Sequence, residues 1–412
     1  ITYYSSKIVM SEATPKLTAL PPLSLYIHIP WCLKKCPYCD FNSHAIHPVS
    51  DEQSSLEEGY VAALIRDLEM ALSDVWGRRL NSVFFGGGTP SLFSASSIDR
   101  ILTAVRTLMP LEHFAEVTLE ANPGTFEAQK FVDYRLAGIN RLSIGIQSFD
   151  PNRLKAIGRV HDDQEALRAV EIAQSNFDAI NLDLMYALPG QTLAEAQHDI
   201  DTACAFGVSH LSAYHLTLEP NTLFHRYPPS LPDDEQTAAM QDIIEQTLQQ
   251  KGYSHYETSA FAQPGKESRH NLNYWLFGDY LGIGAGAHSK ISFADKIIRQ
   301  MRYKQPKEYL TQSRNAASFI QTQQVLSNAD RSFEFMMNAL RLHSGFETKL
   351  FQERTGLPLS VIQSQLQEAE QRGLIVSNAF HIKPTILGKR FLNDLLQIFL
   401  PEVDAISSQS IN

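Results

Sequence analysis

The chain has too few cysteines for a disulfide framework: four in 412 residues, with Cys32, Cys36 and Cys39 crowded into one loop. It has no apolar run near the ~20 residues that a membrane span needs. Its start, "ITYYSSKIVMSEATPKLT", lacks the positive end and apolar centre of a secretory signal. Positive charge is short as well. Lys and Arg number 35 against 45 Asp and Glu, a formal charge of -10 at pH 7, which argues against a general nucleic-acid or anionic-membrane binder. What remains is an ordinary globular composition, 43% hydrophobic, enough for a large α/β domain and a smaller partner. The expected compartment is the cytoplasm, where a tight cysteine cluster reads as metal or redox chemistry.

From residue 23 to about 251 a strand-then-helix unit recurs. Short apolar runs fall at 23–29, 82–85, 116–120, 141–146, 179–185 and 210–216. Helical periodicity lies between them, as in Ile98, Ile101, Leu102, Val105 and Leu108, with Ser96 and Asp99 spaced as a capping box. Strands alternating with helices imply a parallel sheet. Six units are two short of a (β/α)₈ barrel, so the expected fold is α/β, an incomplete (β/α)₆ TIM-like barrel. The cysteine loop, Gly86 to Thr89, Glu120, Gln147, Asp183 and Glu219 then all fall at or after strand ends, the rim where such barrels keep their chemistry.

Past residue 252 the pattern changes. A polar link near 303–330 precedes a stretch that reads helix, short hairpin, helix, a small winged-helix-like domain of nearly balanced charge. The expected division is a flexible segment at 1–22, a barrel with extension at 23–295 and a mostly helical C-terminal domain at 296–412. "GIGAGAHS" (282–289) has the spacing G-x-G-x-G and no surrounding βαβ unit, so it reads as a close-packed loop rather than a dinucleotide fingerprint.

Three readings compete for the cysteine loop. A structural zinc site would recruit a nearby histidine, His28 or His44, but zinc cages favour paired short spacings and no second pair exists. Cys204 sits in a predicted helix. A thiol pair of Cys36 and Cys39 leaves Cys32 unused. A [4Fe–4S] cluster held by three thiolates leaves one iron open to a small molecule.

"CLKKCPYC" fits C-x-x-x-C-x-x-C, with the aromatic Tyr38 before the third cysteine. It resembles the radical-SAM signature, and "FFGGGTPSL" is similar to the glycine motif of that superfamily. The resemblance implies that the open iron chelates S-adenosylmethionine and that one electron from the cluster cleaves it to a 5′-deoxyadenosyl radical. "LYIHIPWCLKKCPYCDF", "LEANPGT", "RLSIGIQSF", "IGRVH" and "LDLMYALPGQT" follow in the order seen in the oxygen-independent coproporphyrinogen dehydrogenase family, over roughly residues 23–295. By that likeness Tyr26, Tyr38, Gly87, Gly88, Thr89, Glu120, Gln147, Arg159 and Asp183 are expected to touch S-adenosylmethionine. Ordinary structural roles stay open: Tyr26 as barrel core, Glu120 and Arg159 as a rim salt bridge, Gln147 as a strand cap.

Two departures argue against the dehydrogenase activity. Phe41 stands where that family carries a fourth cysteine, and its Pro-Arg-Tyr-Thr-Ser-Tyr-type segment has no counterpart ahead of Tyr26. "HNLNYW" (270–275) is instead similar to a motif of a sister group, the radical-SAM heme chaperones. That resemblance implies heme as a bound cargo, His270 as its axial ligand, and Tyr274 and Trp275 as flat surface for the macrocycle. It also implies heme-acceptor proteins, such as respiratory enzymes, and an electron donor for the cluster. Peripheral membrane contact and a homodimer are compatible with it. The alternatives are a coproporphyrinogen dehydrogenase or other radical-SAM porphyrin enzyme, and a zinc-stabilised interaction module. For His270 itself, a hydrogen-bonded surface role stays open.

Overall fold

The computed structural model describes residues 16–46, 50–125, 128–315 and 318–401. Six parallel strands lie side by side in chain order: β1 Leu23–Ile29, β2 Leu80–Gly87, β3 Leu111–Ala121, β4 Arg141–Gln147, β5 Ala179–Tyr186 and β6 His210–His215. They form the expected incomplete barrel. Alternation along each strand explains both of its faces. Leu23, Leu25, Ile27 and Ile29 of β1 are buried in the main apolar core, and Leu142, Ile144 and Ile146 of β4 join them. The intervening residues are polar or aromatic, among them Ser24, Tyr26 and His28 on β1 and Arg141, Ser143 and Gln147 on β4. Arg141, Ser143 and Gln147 line a central cavity, together with Asn181 and Asp183 of β5 and His210 and Ser212 of β6. The barrel interior is therefore a cavity with polar side chains facing into it, unlike the packed interior of a complete (β/α)₈ barrel.

Hairpins extend the sheet at both edges. β7 Ser254–Glu257 and β8 Ala260–Ala262 add antiparallel beside β6, and β9 Asp279–Ile283 adds parallel to β1. β10 His288–Ser292, β11 Ile297–Arg302 and β12 Ile320–Val325 continue outward from β9, antiparallel throughout. The stretch expected as a polar link thus contains a helix, Pro306–Arg314, and the edge strand β12. Residue 295 falls between the paired strands β10 and β11, so the strand-paired region runs past the expected domain boundary. Beyond it a second apolar core gathers Phe335, Phe346 and Phe351 with Leu366 and Leu374, around helices and a three-stranded sheet.

Other local expectations fare unevenly. The helix Ala95–Leu108 is capped by Ser94, whose hydroxyl accepts from Ser97 N, rather than by a box at Ser96 and Asp99. Within the expected flexible segment, residues 1–15 lie outside the described residues. Leu17, by contrast, is buried in the second core and its amide donates to Ala294 O at 2.9 Å. Asp279 at the start of β9 ties the sheet extension down: Lys290 Nζ and Arg78 reach its carboxylate at 2.8 Å each, with Ser292 completing the shell. Burial raises the Asp279 carboxyl, but these two cations outweigh it and hold the group below the usual carboxylate range. No helix among the described residues is long and apolar enough to cross a membrane.

Candidate functional site

Every residue singled out for a cofactor lines one cavity of about 730 Å³, a volume in the range of small-molecule sites. It runs from the carboxyl ends of the strands, where the cysteines lie, down through the barrel to the helix Arg269–Trp275.

At the cysteine end each sulfur has a polar neighbour of its own. Thr89 Oγ1 donates to Cys32 Sγ at 3.5 Å, and Arg159 donates to Cys36 Sγ at 3.8 Å. Ser43 Oγ sits 3.6 Å from Cys39 Sγ. These donors are themselves linked, because Asn122 bonds both Thr89 Oγ1 at 2.8 Å and Arg159 at 2.7 Å. Three thiols that each face a donor are suited to ionised sulfur, the form that holds iron. Burial pushes the Cys32 and Cys39 thiols up, so iron must displace protons there. The histidines of the zinc reading are engaged elsewhere. His28 Nε2 must donate to the carbonyl of Asn42 at 2.9 Å, so its Nδ1 accepts from the Tyr26 hydroxyl at 3.0 Å. Burial holds that ring neutral, its pKa lowered to about 4. His44 Nε2 lies 3.2 Å from Asn42 Oδ1.

The glycine motif is spatially obligatory. A Cβ on Gly87 would fall 2.5 Å from the His28 ring, and one on Gly88 2.5 Å from the carbonyl of Trp31. Gly88 N and Thr89 N donate to Ile29 O and Trp31 O, which pins this turn to the strand leading into the cysteine loop. Gly88→Ala meets backbone rather than a flexible side chain. Its expected cost is about 1–3 kcal/mol, with iron loading reduced because the cysteine loop must shift. Thermal denaturation and iron content check this; wild-type values for both would contradict it.

Glu120 accepts from Gly87 N at 3.1 Å. Burial, followed by the nearby Asp183, raises its carboxyl to about 8. Asp183 accepts from Ser143 at 2.9 Å and Asn181 at 2.8 Å, and burial raises it too. Among the described residues Glu120 and Arg159 form no ion pair, so the rim salt bridge does not exist. Gln147 closes β4 with φ 68° beside a register shift. A left-handed backbone at a non-glycine residue stores strain of about 1–3 kcal/mol, a feature that gathers at ligand clamps. Tyr38 packs its ring toward Phe224, 6.4 Å between centroids.

His270 lies at the other end. The helix Arg269–Trp275 crosses the amino-terminal starts of β1 and β2, bonding Ser82 through the His270 ring and Glu116, midway along β3, through the amides of Arg269 and His270. The five residues from Ser82 to Gly87 put this level roughly 16 Å below the glycine turn, at ~3.3 Å per residue. His270 is 2% exposed, so it is no surface residue. Its ring stacks on Phe84 at 4.7 Å and meets Tyr274 edge-on at 5.0 Å. The hydrogen-bond chain fixes its tautomer. Ser24 donates to Asn81 Oδ1, Ser82 donates to Ser24 Oγ, and so Nδ1–H of His270 must donate to Ser82 at 2.9 Å. Nε2 then keeps its lone pair and has no partner among the described residues.

Comparison with known proteins assigns the chain to a family. The model of the Radical SAM superfamily matches residues 26–203, and that of the HemN C-terminal domain matches 326–391. A protein of Escherichia coli strain K12 named heme chaperone HemW is 47% identical over 391 residues, which cover 94% of this chain and all of that one. The chain belongs to the HemW family. A HemW of Bacillus subtilis is 34% identical over 92% of this chain and all of its own length. Among solved structures, the coproporphyrinogen III oxidase HemN of E. coli aligns with a TM-score of 0.78 at 22% identity, covering 92% of this chain and 90% of that one. That likeness establishes the radical-SAM barrel with its C-terminal domain as the fold of this HemW-family chain.

The residues that sequence reasoning passed over are those of the middle and lower cavity: Arg141, Asn181, His210, Ser212 and Arg341. Their signal was present in the alternation, since four of them occupy inward positions on strands already recognised as apolar runs.

Proposed function

We propose that this chain is a heme chaperone that uses the two ends of one cavity for different ligands. Cys32, Cys36 and Cys39 hold a [4Fe–4S] cluster at the upper end. Gly87, Gly88 and Thr89 border the methionine end of S-adenosylmethionine, while Tyr26, Tyr38, Glu120, Gln147, Arg159 and Asp183 surround the rest of it. When bound, the cluster supplies one electron for cleavage of the sulfonium bond. Heme, the cargo, takes the lower end with His270 Nε2 on its iron. The observation that carries this reading is the unpaired, neutral Nε2 of a buried histidine beside Phe84 and Tyr274. Donation from Nδ1–H to Ser82 fixes the tautomer and raises ligand basicity, the usual second contact of a metal-bound histidine.

The recipients are heme-acceptor proteins, respiratory enzymes among them, and a separate donor reduces the cluster in the cytoplasm. Peripheral membrane contact and pairing of two copies would bring the cargo to its recipients. The experiment is transfer. Heme-charged, anaerobically reconstituted protein is mixed with an apo heme protein, and the Soret spectrum of the recipient is followed. The expected result is transfer of heme without conversion of coproporphyrinogen in a parallel assay. Retention of heme together with protoporphyrinogen formation would contradict the proposal.

A further inference from the structure

Three arginines line the cavity: Arg141, Arg159 and Arg341. Two of them have hydrogen-bond partners. Arg159 donates to Cys36, Asn122 and the carbonyl of Gly145, and Arg341 donates to Glu257 at 3.2 Å while lying over the Trp275 ring. Arg141 differs. It is 5% exposed and opens β4 in the barrel interior, and its guanidinium makes no hydrogen bond among the described residues.

Its one ionic contact is loose, with Nε 3.8 Å from Glu116 Oε2. That carboxylate is also committed elsewhere, accepting from Ser268 Oγ, Arg269 N and His270 N at 3.1 to 3.3 Å. A guanidinium has five N–H donors in a planar fork, and those of Arg141 open on the cavity instead of meeting protein acceptors. A fork of this kind, facing a cavity, fits a planar carboxylate. Glu116 also fixes where the fork is, because the same side chain binds the backbone of His270. Arg141 and the imidazole therefore stand in one corner of the cavity, and the positive charge is felt by the His270 ring.

We propose that Arg141 binds a propionate carboxylate of the heme whose iron His270 ligates. This rests on the heme-cargo reading above and adds to it the orientation of the macrocycle. One propionate points down toward the start of β4, and the iron sits over the helix Arg269–Trp275. The same pairing gives selectivity for tetrapyrroles with free acid side chains, since an ester presents no charge to the fork.

The test uses the full, anaerobically reconstituted chain and two probes, heme and heme dimethyl ester, titrated into wild type, Arg141→Gln and His270→Ala. A charge-assisted contact of this kind predicts that wild type binds heme at least about tenfold more tightly than the ester. Arg141→Gln should lose that preference, binding heme about as weakly as the ester while ester affinity stays within about twofold of wild type. Equal affinity of wild type for both probes would overturn the proposal. So would an Arg141→Gln protein that discriminates as wild type does, or one that loses both probes equally. If the glutamine variant does not fold, the wild-type preference between probes still decides. Failure of the underlying reading has a different signature: His270→Ala would leave the heme spectrum and affinity unchanged.

Discussion

Cys36→Ser is expected to reduce bound iron and sulfide to a small residue of the wild-type content, with loss of the visible charge-transfer absorbance. Each of the three cysteines anchors one iron, and the fourth corner has no protein ligand in this reading. Removing one thiolate leaves two irons without an anchor, and a serine hydroxyl is a poor substitute at neutral pH. Cys36 also accepts from Arg159, whose other bonds run through Asn122 to Thr89 and so to Cys32. The loss therefore loosens the donor network around a second sulfur. The fold should survive. The three cysteines are only half-buried, and the loop turn is held by backbone bonds such as Cys39 N to Cys36 O at 3.1 Å. Apo-protein stability should change by no more than about 1 kcal/mol. Cys204→Ser is the control: that thiol lies in the helix Leu193–Ala205, away from the cavity, and iron content should be unchanged. Iron, sulfide and thermal unfolding measured on the pair check the claim. Full loading of Cys36→Ser would contradict it.

His270→Ala carries the second large effect, a fall in heme affinity of at least about a hundredfold, together with a changed Soret band. The ring is preorganised by Ser82 at Nδ1 and by Phe84 beneath it, so an alanine removes the iron ligand and leaves a space among aromatic walls. The pH profile distinguishes this buried ring from an exposed one. Burial, followed by the charge of Arg141, lowers the His270 pKa to about 3. The folded value lies below the ordinary 6.5, so the neutral form persists as pH falls through that value. Protonation begins to compete only near the depressed one. Heme affinity of the wild type should stay flat from pH 8 to pH 5. An affinity lost with a midpoint between 6 and 7 would place the ligand on an exposed histidine instead.

Much of the barrel was legible because its strands are buried on the helix-facing side, which writes apolar runs such as "LSLYIHI" and "RLSIGI" into the chain. The edges were not. β12, "IQTQQV", is polar because an edge strand meets solvent, and it hid inside a stretch that looked like a link. β9 lies in the glycine-rich "YLGIGAG", where close approach rather than apolarity sets the sequence: Gly284 abuts His28 O and Gly286 abuts Asn42. The cysteine trio announced itself by spacing alone. Arg141 and His210 did not, since a single buried polar residue in a strand has no local signature. Only the alternation that puts Ser143 and Asn181 on the same side reveals them.

Electron paramagnetic resonance of the chemically reduced, anaerobically reconstituted protein, recorded before and after adding S-adenosylmethionine, addresses the central claim directly. The prediction is one cubane signal that changes shape when S-adenosylmethionine binds, because its methionine end takes the iron that no side chain holds. A signal indifferent to S-adenosylmethionine, or no cubane signal at all, would contradict it.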